Sequence, residues 1–329
     1  MTALPRVAVV FTGGTISTVF DPIAGGNVPV LDGAAILDRT PGLDAIAEVV
    51  AIDRGRLAAS HLTFPQLLEL GAVLRDALAD PAIVGAVLVQ GTDTIEETSF
   101  CWDLLLEGDK PVVVTGAMLS SDMAGFDGPD NLRGAVRAAA SPELRGAGVV
   151  VSLAGTIEAA DDVQKTHATA LDTFRSPNRG SLGRLGPGGV EMARARGPRR
   201  HVTTDQAALV YLVTATVAAD AVLLDAAVGA DARGIVVAAA GSGNTDPSLL
   251  AAAERAMAGG IAVALASRCP GGRATAGYAF PGGGANWLRA GALPVGNLCA
   301  LKARVALALG LGAGLDHAGL AALLADPVG

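Results

Sequence analysis

Six short runs of β-branched and aliphatic residues, at 7–11, 83–89, 112–115, 149–153, 235–239 and 261–266, recur along the chain. Each closes on Gly or a small polar cluster, and each is followed by a helix-like stretch. Near-continuous apolar runs of this length are strands covered on both faces, and their alternation with helices predicts a largely parallel α/β sheet. In such sheets ligands bind beyond the carboxyl ends of the strands. The chemistry is therefore expected in whatever follows each run.

The 329 residues are 51% apolar and only 17% charged. That is enough chain for about two domains of ordinary size with real cores, and it excludes disorder of the charged, weakly apolar kind. Residues 179–205 are rich in Gly, Pro and Arg and lack apolar periodicity, so they are the expected interdomain connection. We expect a larger N-terminal catalytic domain over 1–190, a linker over 191–204 and a smaller C-terminal α/β domain over 205–329. Within the linker, Arg194, Arg196, Arg199 and Arg200 are expected to be solvated. The apolar segment 207–219 is expected to be a buried helix, too short to span roughly 30 Å of hydrocarbon.

The formal charge of −8 lacks the broad positive field that nucleic-acid binding uses. Three dispersed cysteines, Cys101, Cys269 and Cys299, support neither a disulfide framework nor a zinc ribbon. The chain enters its first strand without a basic, then apolar, leader, so a cytoplasmic location is expected, with no membrane partner. His61, His167, His201 and His317 form no HxxxH pair, no phosphate-binding GxxxxGK[ST] occurs, and no GxSxG elbow is present. No metal or cofactor is implied.

Two hydroxyl-bearing turns stand out. Thr12-Gly13-Gly14-Thr15 follows the first run, where two glycines let the backbone turn sharply and approach a ligand. Gln90-Gly91-Thr92-Asp93-Thr94 follows the run at 83–89, with Glu96 and Glu97 placed as in the first turn of a helix capped by Asp93 or Thr94. Capping accounts for one hydroxyl and one acid, but not for a second Thr-bearing turn at another strand end. A Thr hydroxyl attacks a carbonyl only when a base takes its proton. Of the three lysines, Lys110, Lys165 and Lys302, only Lys165 lies in a segment following a strand run; it serves such a site or pairs with Asp161 or Asp162 at the surface.

These residues lie in a wider pattern: TGGTI at Thr12 to Ile16, GTDT at Gly91 to Thr94, TGAM at Thr115 to Met118, DGPxN at Asp127 to Asn131, DVxKT at Asp162 to Thr166 and TFxSPN at Thr173 to Asn178. In order and spacing they resemble the bacterial-type L-asparaginases from residue 6 to about 180, and more loosely through Gly241-Ser242-Gly243-Asn244 and Lys302-Ala303-Arg304. The resemblance implies an amidohydrolase working through an acyl-enzyme on a small amide. It implies Thr12 as nucleophile and Thr92, Asp93 and Lys165 as a second triad. Asp93 and Ser60 would hold the substrate's α-amino and α-carboxylate groups. Backbone groups at Gly13, Thr92 and Ala117, with Gly91 beside them, would bind the amide and its oxyanion. It also implies homodimers or homotetramers in which a neighbour's C-terminal domain completes each site.

Four departures bear on recognition. The lid over 17–31 lacks the family's tyrosine base and carries Asn27 in its place; an Asn cannot take a proton from Thr12. His61 follows Ser60 where Gln is usual, either contacting a carboxylate or packing in the wall. Gln90 replaces a histidine. No acid occupies the partner-donated position, leaving Asn244, with Asp246 as rival. Rival functions are hydrolysis of a different small amide or lactam and ligand sensing without catalysis; an amide-channelling subunit would need an extra N-terminal domain.

Overall fold

The computed structural model describes residues 3–327, and the chain divides into two compact units between Gly197 and Pro198. The first unit is built on β1 (Arg6–Phe11), β2 (Thr18–Asp21), β3 (Gly26–Pro29), β4 (Glu48–Asp53), β5 (Ile83–Val89), β6 (Val112–Thr115), β7 (Val149–Leu153), β8 (Thr156–Ala159), β9 (Gln164–Lys165), β10 (Phe174–Arg175), β11 (Gly183–Gly186) and β12 (Gly189–Met192). The main sheet runs β12-β11-β8-β7-β6-β5-β1-β4. It is parallel from β4 to β7 and antiparallel from β7 to β12.

Helices α1 (Gly33–Asp38), α2 (Phe64–Ala79), α3 (Ile95–Leu105) and α4 (Gly128–Ala139) accompany this sheet. Val7 to Val10 and Ala86 to Val89 are fully buried, which is why their strands read as continuous rather than alternating apolar runs. The start of α2 is fixed by a capping box between Thr63 and Gln66 and by Pro65 in the first turn.

The second unit has a parallel sheet ordered β13 (Val210–Thr214), β14 (Gly234–Ala239), β15 (Ala262–Ser267) and β16 (Leu293–Pro294). With it come α5 (Val222–Gly229), α6 (Pro247–Ala258), α7 (Gly284–Arg289), α8 (Ala300–Gly312) and α9 (His317–Leu324). The α/β class, with a larger N-terminal and a smaller C-terminal sheet, is thus as the apolar runs predict. No described helix is long and apolar enough to cross a membrane.

Three expectations are corrected. Residues 207–219 form no helix: Val210, Val213 and Thr214 favour a strand, and β13 runs as the edge of the second sheet with Tyr211 exposed. The arginine run is not uniformly solvated. Arg196 lies buried between the carboxylates of Asp103 and Asp161, and Arg200 donates to the Ala325 carbonyl at the end of α9. An arginine is buried readily where carboxylates or helix-end carbonyls face it, and those partners are far away in sequence. Finally, the segment without periodicity contains the β11–β12 hairpin, which extends the main sheet and carries ordered chain past residue 190.

Candidate active site

Adjacent parallel strands place the two hydroxyl turns side by side. Phe11 at the end of β1 is in register with Val89 at the end of β5. The next residue, Thr12, donates to the Val89 carbonyl through both its backbone N–H (2.9 Å) and its Oγ1 (3.0 Å), and is buried. Gly13 and Gly14 then turn with φ of +97° and +91°. A Cβ at Gly14 would stand 2.2 Å from the Gly91 nitrogen, so only glycine lets these two turns touch.

Thr92 lies one residue beyond that contact and is likewise buried. Lys165 Nζ donates to Thr92 Oγ1 at 2.9 Å and contacts Asp93 Oδ1 at 2.8 Å. The lysine side chain is 13% exposed and the aspartate 70%, so the cluster grades from buried hydroxyl to solvent-facing acid. Lys165 sits on β9, held by the short antiparallel pairing with β10. Its alternative partners are engaged elsewhere. Asp161 is buried against Arg179 (2.9 Å) and Arg196 (3.2 Å), and Asp162 accepts from the Asn178 side chain and the Arg179 backbone. Nearby, Ser176 donates to Glu158, whose carboxyl burial pushes above its ordinary range despite that bond. Lys110 instead caps the end of α2 through the carbonyls of Leu78 and Asp80.

The helix-capping reading of 92–98 needs amendment. Residues 92–94 form a single tight turn ahead of α3; Thr94 occupies the cap position but makes no capping bond, donating instead to the Ala59 carbonyl at 3.2 Å. That bond ties the turn at 59–61 to the Gly91 turn, where a Cβ on Gly91 would meet Ala59 at 2.9 Å. Ser60 and His61 are exposed on this turn, so His61 is not packed in a wall. Gln90 is buried, bonded to the Gly91 carbonyl and accepting from Thr98.

Ala117 is fully buried in the turn after β6. Asp127 organises that turn: its carboxylate accepts from Met118 N, Leu119 N and the Asn131 side chain. Asn131 in turn donates to the Gly116 carbonyl and accepts from Ala154 N, linking the turns after β6 and β7. Both residues belong to the DGPxN motif, to which the sequence alone assigns no role. The available signal was their i, i+4 spacing across the first turn of α4, with Pro129 between them.

The lid is a hairpin of β2 and β3, in which exposed Asn27 pairs with Phe20. Its base is held by the Ser121 N–H and hydroxyl to the Thr18 carbonyl, and by Phe20 N–H to Asp122 at 2.9 Å. That amide holds the Asp122 carboxyl below its ordinary range. In the second unit, Asn244 forms an isolated bridge with Ala240, and its buried Oδ1 has no hydrogen-bond partner among the described residues. Its rival Asp246 is occupied as the cap of α6, bonded to the Ser248 amide and hydroxyl.

The buried threonine turn thus lies against the turn that carries a hydroxyl–amine–carboxylate cluster, residue types that hydroxyl attack on a carbonyl can use. Comparison with known proteins narrows the class. Residues 6–197 match the N-terminal asparaginase model, and residues 209–324 match the glutaminase/asparaginase C-terminal domain. The chain is 31% identical to a probable periplasmic L-asparaginase of Haemophilus influenzae, over 94% of this chain and 89% of that one. It is 33% identical to a probable L-asparaginase of Deinococcus radiodurans, over 96% and 95%. The crystal structure of a probable cytoplasmic L-asparaginase from Campylobacter jejuni superposes with a TM-score of 0.86 at 26% identity, covering 97% of this chain and 98% of that one. The chain belongs to the asparaginase family.

Proposed function

We propose that the protein hydrolyses L-asparagine to aspartate and ammonia through an ester on Thr12. Thr12 Oγ attacks the side-chain carboxamide, its proton ends on the departing nitrogen, and ammonia leaves. Water then adds to the ester, giving up its proton as the Thr12 oxygen regains one, and aspartate is released. Lys165, acting through Thr92, carries the proton in place of the absent lid tyrosine. Amide donors around Gly13, Thr92 and Ala117 stabilise the oxyanion. Ser60 and Asp93 hold the amino-acid head group, with His61 and Gly91 beside them and Asn27 on the lid.

The observation that carries this reading is the Gly14–Gly91 apposition. It brings the turn that carries Thr12 against the turn that carries Thr92, whose hydroxyl is bonded to Lys165. In keeping with the family resemblance, we place Asn244 of a neighbouring subunit at each site in a homodimer or homotetramer. A cytoplasmic location accords with the name of the Campylobacter jejuni neighbour, although the Haemophilus influenzae relative is named periplasmic.

Ammonia release from asparagine, glutamine, D-asparagine and simple lactams tests the substrate. Thr12→Ala and Thr92→Ala are each expected to lose at least about a hundredfold in kcat on asparagine. Unchanged turnover in both variants overturns the mechanism. Binding of asparagine without release of ammonia from any amide supports sensing instead.

A further inference from the structure

The lysine–threonine contact joins segments more than seventy positions apart, and neither segment is fixed by that contact alone. Thr92 and Asp93 lie in the turn that runs directly into α3, and Asp103 sits near the other end of that helix. Lys165 lies four residues after Asp161, on a two-residue strand. Between these arms stands a group the proposed mechanism does not use. One terminal nitrogen of Arg196 is 2.6 Å from Asp103 Oδ2 and 3.2 Å from Asp161 Oδ1, and the three side chains are only 3–4% exposed.

The remaining carboxylate oxygens tie this bridge into the fold. Asp103 Oδ1 accepts from Val149 N at 2.9 Å, and Asp161 Oδ2 accepts from Arg179 at 2.9 Å. The Arg179 backbone N–H donates to Asp162 at 2.7 Å, so the turn leading into β9 is gripped from both sides. Burial by itself would lower the arginine's proton affinity, but Asp103 and Asp161 override it and hold the guanidinium charged.

We propose that Arg196 is a positioning residue for the reaction, locking the α3 arm that carries Thr92 to the Asp161 turn that carries Lys165. Without it, the cation shared by the two buried carboxylates is lost, Asp161 keeping Arg179 and Asp103 the Val149 amide, and nothing charged bridges the arms that bear them. A displacement of about 1 Å in a catalytic contact is enough to cost on the order of a hundredfold in rate. The inference rests on the role given above to Lys165.

The test is a double-mutant cycle on asparagine hydrolysis by the full chain, with folding checked by circular dichroism. Arg196→Gln is expected to lower kcat about thirtyfold and to raise KM by a clearly smaller factor, because Asp93 shares the displaced arm with Thr92 while Ser60 lies on a separate turn. Arg196→Lys, which keeps the positive charge on a shorter side chain, is expected to recover part of the loss because a single nitrogen meets both carboxylates. In a Lys165→Ala background, Arg196→Gln should lower the residual rate by less than about twofold, since a group acting through Lys165 has nothing left to position. Equal losses in both backgrounds would reduce Arg196 to a structural role and overturn the inference, as would an undiminished rate in the single variant.

If Arg196→Gln does not fold, Asp103→Asn takes its place in the cycle, removing the charge while leaving the oxygen that accepts from Val149. Lys165→Ala alone separates the two claims. Full activity in that variant overturns both the Lys165 role and this inference, whereas a large loss there with an additive Arg196 effect overturns only the latter.

Discussion

The Thr12–Gly14 turn and the lid hairpin are separated by only three residues, yet they are held in different ways. The turn is buried, and its position is set by backbone contact: Gly14 against Gly91, Gly13 against Arg56 and the Thr12 carbonyl against Leu57 N. The hairpin exposes Phe20, Ile23 and Asn27 and is held at its base by Ser121 and Asp122. In the proposed mechanism, the groups that must meet a carbonyl at a fixed distance sit on strand ends that cannot move independently. Groups that recognise or enclose a substrate sit on loops that can change without disturbing them. This chain's departures from the family pattern at Asn27 and His61 fall on the second kind of region.

Four substitutions probe that contrast. Gly14→Ala should have the largest effect, because its φ of 91° and ψ of −171° are essentially reserved for glycine and the new methyl would overlap the Gly91 backbone. A loss of about 3 kcal/mol in chemical denaturation is expected, with activity falling in parallel. Asp127→Ala removes the acceptor shared by Met118, Leu119 and Asn131 and should cost about 2 kcal/mol; a rise in KM larger than the fall in stability would reassign Asp127 to substrate contact.

The remaining two act on the lid. Asp122 holds its lowered proton affinity by accepting from Phe20 N–H. Its anchoring is therefore present above the ordinary carboxylate range and lost as pH falls through the depressed value. Asp122→Asn should speed hydrogen exchange at the Phe20 amide at neutral pH, with variant and parent converging in acid. Asn27→Tyr should have the smallest effect, changing kcat by less than about threefold; a rise of about a hundredfold would mean that Thr12 lacks a base in the native chain.

The sheet of the first unit was legible because its central strands are covered on both faces, which forces uninterrupted apolar runs such as Val7 to Phe11. The two threonine turns were legible because close backbone approach admits only glycine at Gly14. What escaped the sequence was set by distant partners. The segment 207–219 has the apolar content of either a helix or a strand, and pairing with β14 decides it. Arg196 looks like a linker charge until Asp103 and Asp161 stand beside it. The choice of Lys165 for Asp93 over its nearer neighbours follows from Arg179 and Asn178 occupying Asp161 and Asp162.

The most direct measurement is peptide mass spectrometry on protein acid-quenched during turnover of asparagine. A β-aspartyl ester on the peptide containing Thr12, absent from Thr12→Ala, is the expected result. The same ester on the Thr92 peptide, or rapid ammonia release with no ester on Thr12 under conditions that trap it in a slowed variant such as Lys165→Ala, would contradict the account.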